Sequence, residues 1–152
     1  MRYNFKNILI AVDPSENAMR AVKYTAIMLK NTPDCSVTLL NIIRNPLRDH
    51  FASKDQWEKA CEDTVRKGRE ALEKARDVLI DSGIDSSAIS IKVVEAKKSS
   101  IASEIMKVQE EGGFGTVAVG RRGVTKEEEF LFGSVSNKVV HYARNCTVWV
   151  VE

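Results

Sequence analysis

Five short apolar runs alternate with stretches of helical periodicity along the chain, and that alternation restricts the fold more than any other feature. The first run, Ile8-Leu9-Ile10-Ala11-Val12, is rich in branched residues and barely alternates between apolar and polar positions. A strand of that kind is covered on both faces, as parallel strands are. Asp13-Pro14-Ser15 supplies a turn and a helix start, and Ala18, Ala21, Val22, Thr25, Met28 and Leu29 then recur at helical spacing up to Lys30. Asn31-Thr32-Pro33-Asp34 ends that helix, and residues 37–43 read as a second strand. From Trp57 the positions Cys61, Thr64, Val65, Gly68, Ala71, Leu72, Ala75, Val78 and Leu79 mark a long amphipathic helix. Asp81-Ser82-Gly83 closes it, with Gly83 as a left-handed cap.

Residues 89–94 alternate as a third strand, and Ser99 or Ser100 caps a short helix carrying Ile101, Ile105 and Val108. Gly112-Gly113-Phe114-Gly115 turns the chain into a fourth strand at Thr116. A last helix, Val135 to Arg144, and a last strand, Thr147 to Val151, complete the series. Strict alternation with right-handed crossovers gives an α/β fold. The expectation is a doubly wound five-stranded parallel sheet of Rossmann-like type, order 3-2-1-4-5, with helices on both faces and one domain over residues 1–152. The polar stretch Arg44–Gln56, which contains Pro46, is expected to be a mobile surface loop.

The chain has 152 residues, enough to bury a core without disulfides or metals. A net charge of +2 is too small for a nucleic-acid footprint or an electrostatic membrane anchor. No run approaches transmembrane length, and the start, Met1 to Lys6, has no apolar leader segment. Cys35, Cys61 and Cys146 are far apart, as reduced thiols are. Together these features point to a cytoplasmic chain.

Chemistry is suggested by a spaced glycine pattern between the fourth strand and the last helix. Gly120-Arg121-Arg122-Gly123 is followed by nine residues and then Gly133-Ser134, giving G-x2-G-x9-G-S. Glycines at a strand end allow close backbone approach to a ligand, and a helix start presents unpaired N–H groups to an anion. Gly133, Ser134, Val135 and Ser136 would offer amides and two hydroxyls to a phosphate chain, with Arg121 and Arg122 as charge partners. In a 3-2-1-4-5 sheet, strand order reverses between the first and fourth strands, where ligands bind beyond the carboxyl ends. Asp13 ends the first strand and Gly120 the fourth, so both fall at one crevice.

Plainer readings stand beside these. Gly120 also suits a simple turn, Ser134 a simple N-cap and Asp13 a turn before Pro14. The two arginines could pair with Glu127, Glu128 and Glu129, and that acidic run would repel phosphate unless it points outward. Gly113-Phe114-Gly115-Thr116-Val117-Ala118 fits G-x-G-x-x-A but enters a strand where a dinucleotide motif leaves one. His50 and His141 form no metal-ligand cluster, and Cys146 suits a small buried residue better than a nucleophile. No acid–base pair of a hydrolase is visible, and no catalytic residue is assigned.

The chain resembles the universal stress protein family over essentially its full length. The likeness is carried by residues 8–13 with Ser15-Glu16, by Leu40-Asn41-Ile42, by the glycine pattern closing on Gly133-Ser134-Val135-Ser136, and by residues 148–151. The resemblance implies the ATP-binding branch of that family, usually homodimeric and acting in stress responses. By position, it implies that Val12, Asp13 and Pro14 border the adenosine and that Ile42 lines the adenine pocket. Val119 and Gly120 would flank the ribose and phosphates, with Arg122, Gly123, Gly133, Ser134, Val135 and Ser136 around the phosphate chain. Pro14 stands where many members have glycine, and the run Glu127–Glu129 is unusual for this loop. The expected ligand is ATP, or ADP or AMP in its place, with Mg2+ as an optional companion and no protein metal ligand. A nucleotide-dependent switch or scaffold with at most slow hydrolysis follows. The alternative is a dimerisation scaffold of the same fold that binds no nucleotide. The last strand, 147–151, lies at a sheet edge without proline, and a second copy paired antiparallel through it is the expected homodimer.

Overall fold

The computed structural model of the protein describes residues 3–121 and 134–152. Its strands are β1 (Asn4–Ala11), β2 (Ser36–Ile43), β3 (Ile89–Glu95), β4 (Phe114–Gly120) and β5 (Thr147–Val151). Helices α1 (Glu16–Leu29), α2 (Lys54–Asp81), α3 (Ile101–Gly112) and α4 (Ser134–Tyr142) alternate with them. The sheet order is β3-β2-β1-β4-β5, every pairing is parallel, and the strand order reverses between β1 and β4 as expected.

The continuous apolar runs are continuous because both faces are covered. Six consecutive residues of β4, Phe114 to Val119, are buried. Side chains alternate across the sheet into two separate cores. Ile8, Ile10, Val12, Leu39 and Ala118 pack with Val22 of α1 and Leu72, Ala75 and Leu79 of α2. Leu9, Leu40, Val117 and Val119 pack with Ile105 of α3 and Val139 of α4 on the opposite face.

Helix ends carry the expected chemistry. Ser15 accepts from the Ala18 N–H, Ser53 from Gln56 and Ser100 from Ser103, so Ser100 is the cap of α3. Gly83, just beyond α2, has φ 96°, the left-handed conformation that favours glycine.

The connection after β2 departs from the expected mobile loop. It contains a short 3₁₀ turn, Arg48–His50, and α2 begins at Lys54, three residues before Trp57. The indole N–H of Trp57 donates to the Pro46 carbonyl at 2.9 Å, and the Asn45 amide donates to Glu95 at 3.3 Å. These bonds fasten both sides of Pro46. β1 also starts earlier than its apolar run, at Asn4, because its exposed first half still pairs with β4.

Candidate functional site

A cleft opens beyond the carboxyl ends of β1, β2 and β4, on the α3–α4 side of the sheet. Its floor follows from strand register. Ala11 sits opposite Leu40 on β2, and because Ile10 sits opposite Ala118, Ala11 lies beside Val119 on β4. The row Leu40–Ala11–Val119 thus has its smallest side chain in the middle, which leaves a hollow. Ile42 flanks it, and Ile101 and Ile105 of α3 form its wall. The rim is polar at the start of α1, with Asp13, Ser15 and Asn17, and Val135 and Ser136 in the first turn of α4 complete the lining. An apolar hollow with a polar rim takes a flat heterocycle inside and a polar chain at its mouth.

The turn from β1 to α1 is held by three bonds. The Ser15 N–H donates to the Asp13 carboxylate at 2.8 Å, and the Ala18 N–H donates to the Ser15 hydroxyl at 3.2 Å. The Asn41 side-chain amide donates to the Val12 carbonyl at 2.8 Å. Asp13 therefore does initiate a turn, and it also lines the cleft. It is the sole ionisable side chain among the described lining residues.

Of the residues expected at the site, Val12, Asp13, Ile42, Val119, Gly120, Val135 and Ser136 come together around this cleft. Val12 contributes backbone, since its side chain is buried in the core under α1 and α2. Ser136 is 1% exposed in the first turn of α4 and is already engaged in an interaction there. Pro14 lines the surface groove between α1 and α2 and not the cleft. Arg122, Gly123, Gly133 and the run Glu127–Glu129 lie outside the described residues, and Ser134 enters only as the first residue of α4. Arg121 bonds Glu152 at 3.3 Å, an arrangement the acidic run had not suggested.

Gly120 has a structural reason of its own. A Cβ there would meet the Asn17 carbonyl oxygen at 2.3 Å and the Ala18 nitrogen at 2.8 Å. The end of β4 touches the backbone of the first turn of α1, and that contact closes one side of the cleft. Sequence reasoning also missed Ala11, Asn17, Ile101 and Ile105 as lining residues. The signal for Ala11 was a small residue inside a run of large ones.

Other chemistry is sparse. No group of three His, Cys, Asp or Glu side chains gathers among the described residues in the manner of a metal site. Burial pushes the Cys146 thiol above its ordinary pKa, with a backbone hydrogen bond from Arg144 opposing, so it is a poor thiolate nucleophile. The α1–α2 groove is lined by charges of both signs, among them Arg20, Lys23, Lys67, Lys74, Glu16 and Glu70. Its apolar lining is limited to Pro14, Met19 and Ala71. No helix among the described residues is long and apolar enough to cross a membrane.

Comparison with known proteins agrees with the architecture. The universal stress protein MJ0531 of Methanocaldococcus jannaschii is 27% identical over 148 residues, covering 97% of this chain and 82% of its own. The solved structure of hypothetical protein MJ0577 superposes with a TM-score of 0.74 at 26% identity, covering 97% of this chain and 95% of that one. A universal stress protein family protein from Arabidopsis thaliana, solved with AMP bound, has a TM-score of 0.68 at 20% identity, covering 95% and 90%. At that identity the likeness is one of fold. Residues 4–152 match the universal stress protein family throughout, and the chain belongs to that family.

Proposed function

We propose that the cleft binds an adenine nucleotide, ATP or in its place ADP or AMP, and that the protein acts as a nucleotide-dependent switch or scaffold in a stress response. The observation that carries this reading is the Leu40–Ala11–Val119 hollow at the point where strand order reverses. Its apolar floor suits an adenine ring, and the start of α1 and first turn of α4 supply polar groups at the mouth. The Arabidopsis relative with AMP bound supports the choice of ligand class. Any Mg2+ would rest on the phosphates, given the absence of a clustered ligand set among the described residues. Mass spectrometry of small molecules released by denaturing freshly purified protein tests the reading. An adenine nucleotide near one per chain is expected. Release of none, with no uptake of added ATP, ADP or AMP, would favour a scaffold without nucleotide.

Hydrolysis is expected to be slow. Among the described lining residues, the single ionisable one, Asp13, already accepts from Ser15, and no base–nucleophile pair stands beside it. Turnover well below the typical enzyme rate of roughly ten per second is expected in a steady-state phosphate-release assay with magnesium. Several turnovers per second would move the protein to the enzyme class.

The outer edge of β5 fits a second copy. The Arg121 N–H donates to the Val151 carbonyl at 2.7 Å, which turns the polar groups of Val151 toward β4. By strand alternation, the N–H and C=O of Val150 face outward, where an antiparallel β5 could pair with them. Val150→Pro removes that outward donor without removing a β4 ladder bond. Sedimentation is expected to show a wild-type dimer at micromolar concentration and a shift of Val150→Pro toward monomer. A wild-type monomer would rule out the strand-paired dimer.

A further inference from the structure

The proposed cleft has its floor on one face of the sheet, yet one of its edges is fixed from the other. Asn41 is a polar residue within the apolar β2 run, 5% exposed, with its side chain on the α2 face. The ladder between β1 and β2 ends where the Val12 N–H donates to the Leu40 carbonyl at 2.7 Å. The next acceptor in line, the Val12 carbonyl, is taken by the Asn41 side-chain amide at 2.8 Å. Both polar groups of Val12 thereby face β2. A trans peptide sets C=O and N–H on opposite edges, so the following Asp13 N–H is turned toward β4, where the cleft lies. That N–H has no acceptor among the described residues.

The amide of Asn41 is itself fitted against α2. Gly68 faces it so closely that a Cβ at position 68 would lie 2.4 Å from the Asn41 Oδ1. Alanine is favoured over glycine inside a helix, so Gly68 carries an intrinsic cost there that its packing against Asn41 explains. A chain of contacts therefore runs from α2 through Gly68 and Asn41 to the Val12–Asp13 peptide at the rim.

We propose that Asn41 is a positioning residue for the cleft: held by α2 at Gly68, it fixes the Val12–Asp13 peptide so that the Asp13 N–H is presented to the bound nucleotide. The inference rests on the nucleotide reading and adds to it a residue that does not line the cleft. It also makes nucleotide affinity sensitive to the seating of α2.

The test is calorimetric titration of ATP into wild type, Asn41→Ala, Gly68→Ala and the double variant, with unliganded melting temperature read in parallel. Each single variant is expected to weaken binding about tenfold, the loss of one well-placed hydrogen bond. The double variant is expected to bind no more weakly than Asn41→Ala, because removing the Asn41 side chain makes room for the new methyl. Gly68→Ala retains the Asn41 amide but pushes it from its seat, since the new Cβ would lie 2.4 Å from Oδ1, and so tests the coupling even if Asn41→Ala does not fold. A melting temperature lowered with affinity unchanged would overturn the proposal by reducing Asn41 to a packing residue. Losses that multiply in the double variant would overturn it too, since Gly68 would then act independently. Failure of the wild type to bind any adenine nucleotide would instead overturn the underlying reading, and this inference with it.

Discussion

Replacing Ala11 with phenylalanine is expected to lower adenine-nucleotide affinity by about 100-fold or more while leaving the fold intact. Ala11 is the small member of the row Leu40–Ala11–Val119, and its methyl faces the cleft. A phenyl ring projecting from that position would occupy the hollow proposed for the adenine. Loss of the buried ring contacts corresponds to roughly 2.7 kcal/mol or more, at about 1.4 kcal/mol per factor of ten. The new ring meets open cleft, so circular dichroism and the melting temperature should change little. Titration of Ala11→Phe beside the wild type measures the effect. Unchanged affinity in a folded variant would show that the nucleotide, if bound, lies elsewhere.

Gly120→Val is expected to act on stability. Any Cβ at this position falls within 2.3 Å of the Asn17 carbonyl oxygen and 2.4 Å of its carbonyl carbon. Those are backbone atoms of the first turn of α1, which the Ser15 cap and the Asp13 turn hold in place. They cannot swing aside as a side chain would, so β4 and α1 must separate. Overpacking of this severity costs about 3 kcal/mol, measurable as a lower denaturation midpoint in urea. A loss below about 1 kcal/mol would mean that β4 and α1 part easily. Because β4 and α1 also bound the cleft, affinity should fall along with stability. Ala11→Phe separates the two effects, since it blocks the cleft without forcing backbone apart.

Much of this architecture is readable in the amino-acid order. The runs at 8–12 and 116–119 announce buried parallel strands because both faces are covered, and turn chemistry at Asp13-Pro14-Ser15 and Asp81-Ser82-Gly83 places the helix ends. What escapes such reading depends on contacts between distant segments. Lys54, Asp55 and Gln56 form the first turn of α2 without a single apolar residue, so periodicity begins only at Trp57. The loop before them looks mobile until Trp57 and Glu95 are found holding Pro46 and Asn45.

At the cleft, the glycine pattern drew attention to Gly120, whose missing side chain answers to Asn17 on another element. Val12 reads as a lining residue although only its backbone serves, because alternation assigns its side chain to the opposite core. Asn41 is a polar residue in an apolar strand. Its contact with Val12, 29 positions away, is visible only in the folded chain.

The central claim is that the crevice between β1 and β4 binds an adenine nucleotide, and calorimetric titration of the nucleotide-stripped wild-type protein tests it most directly. Saturable binding of ATP, ADP or AMP at one per chain, competed by the other adenine nucleotides and lost in Ala11→Phe, is the expected result. No heat of binding at millimolar nucleotide, from protein shown to be folded, would contradict it.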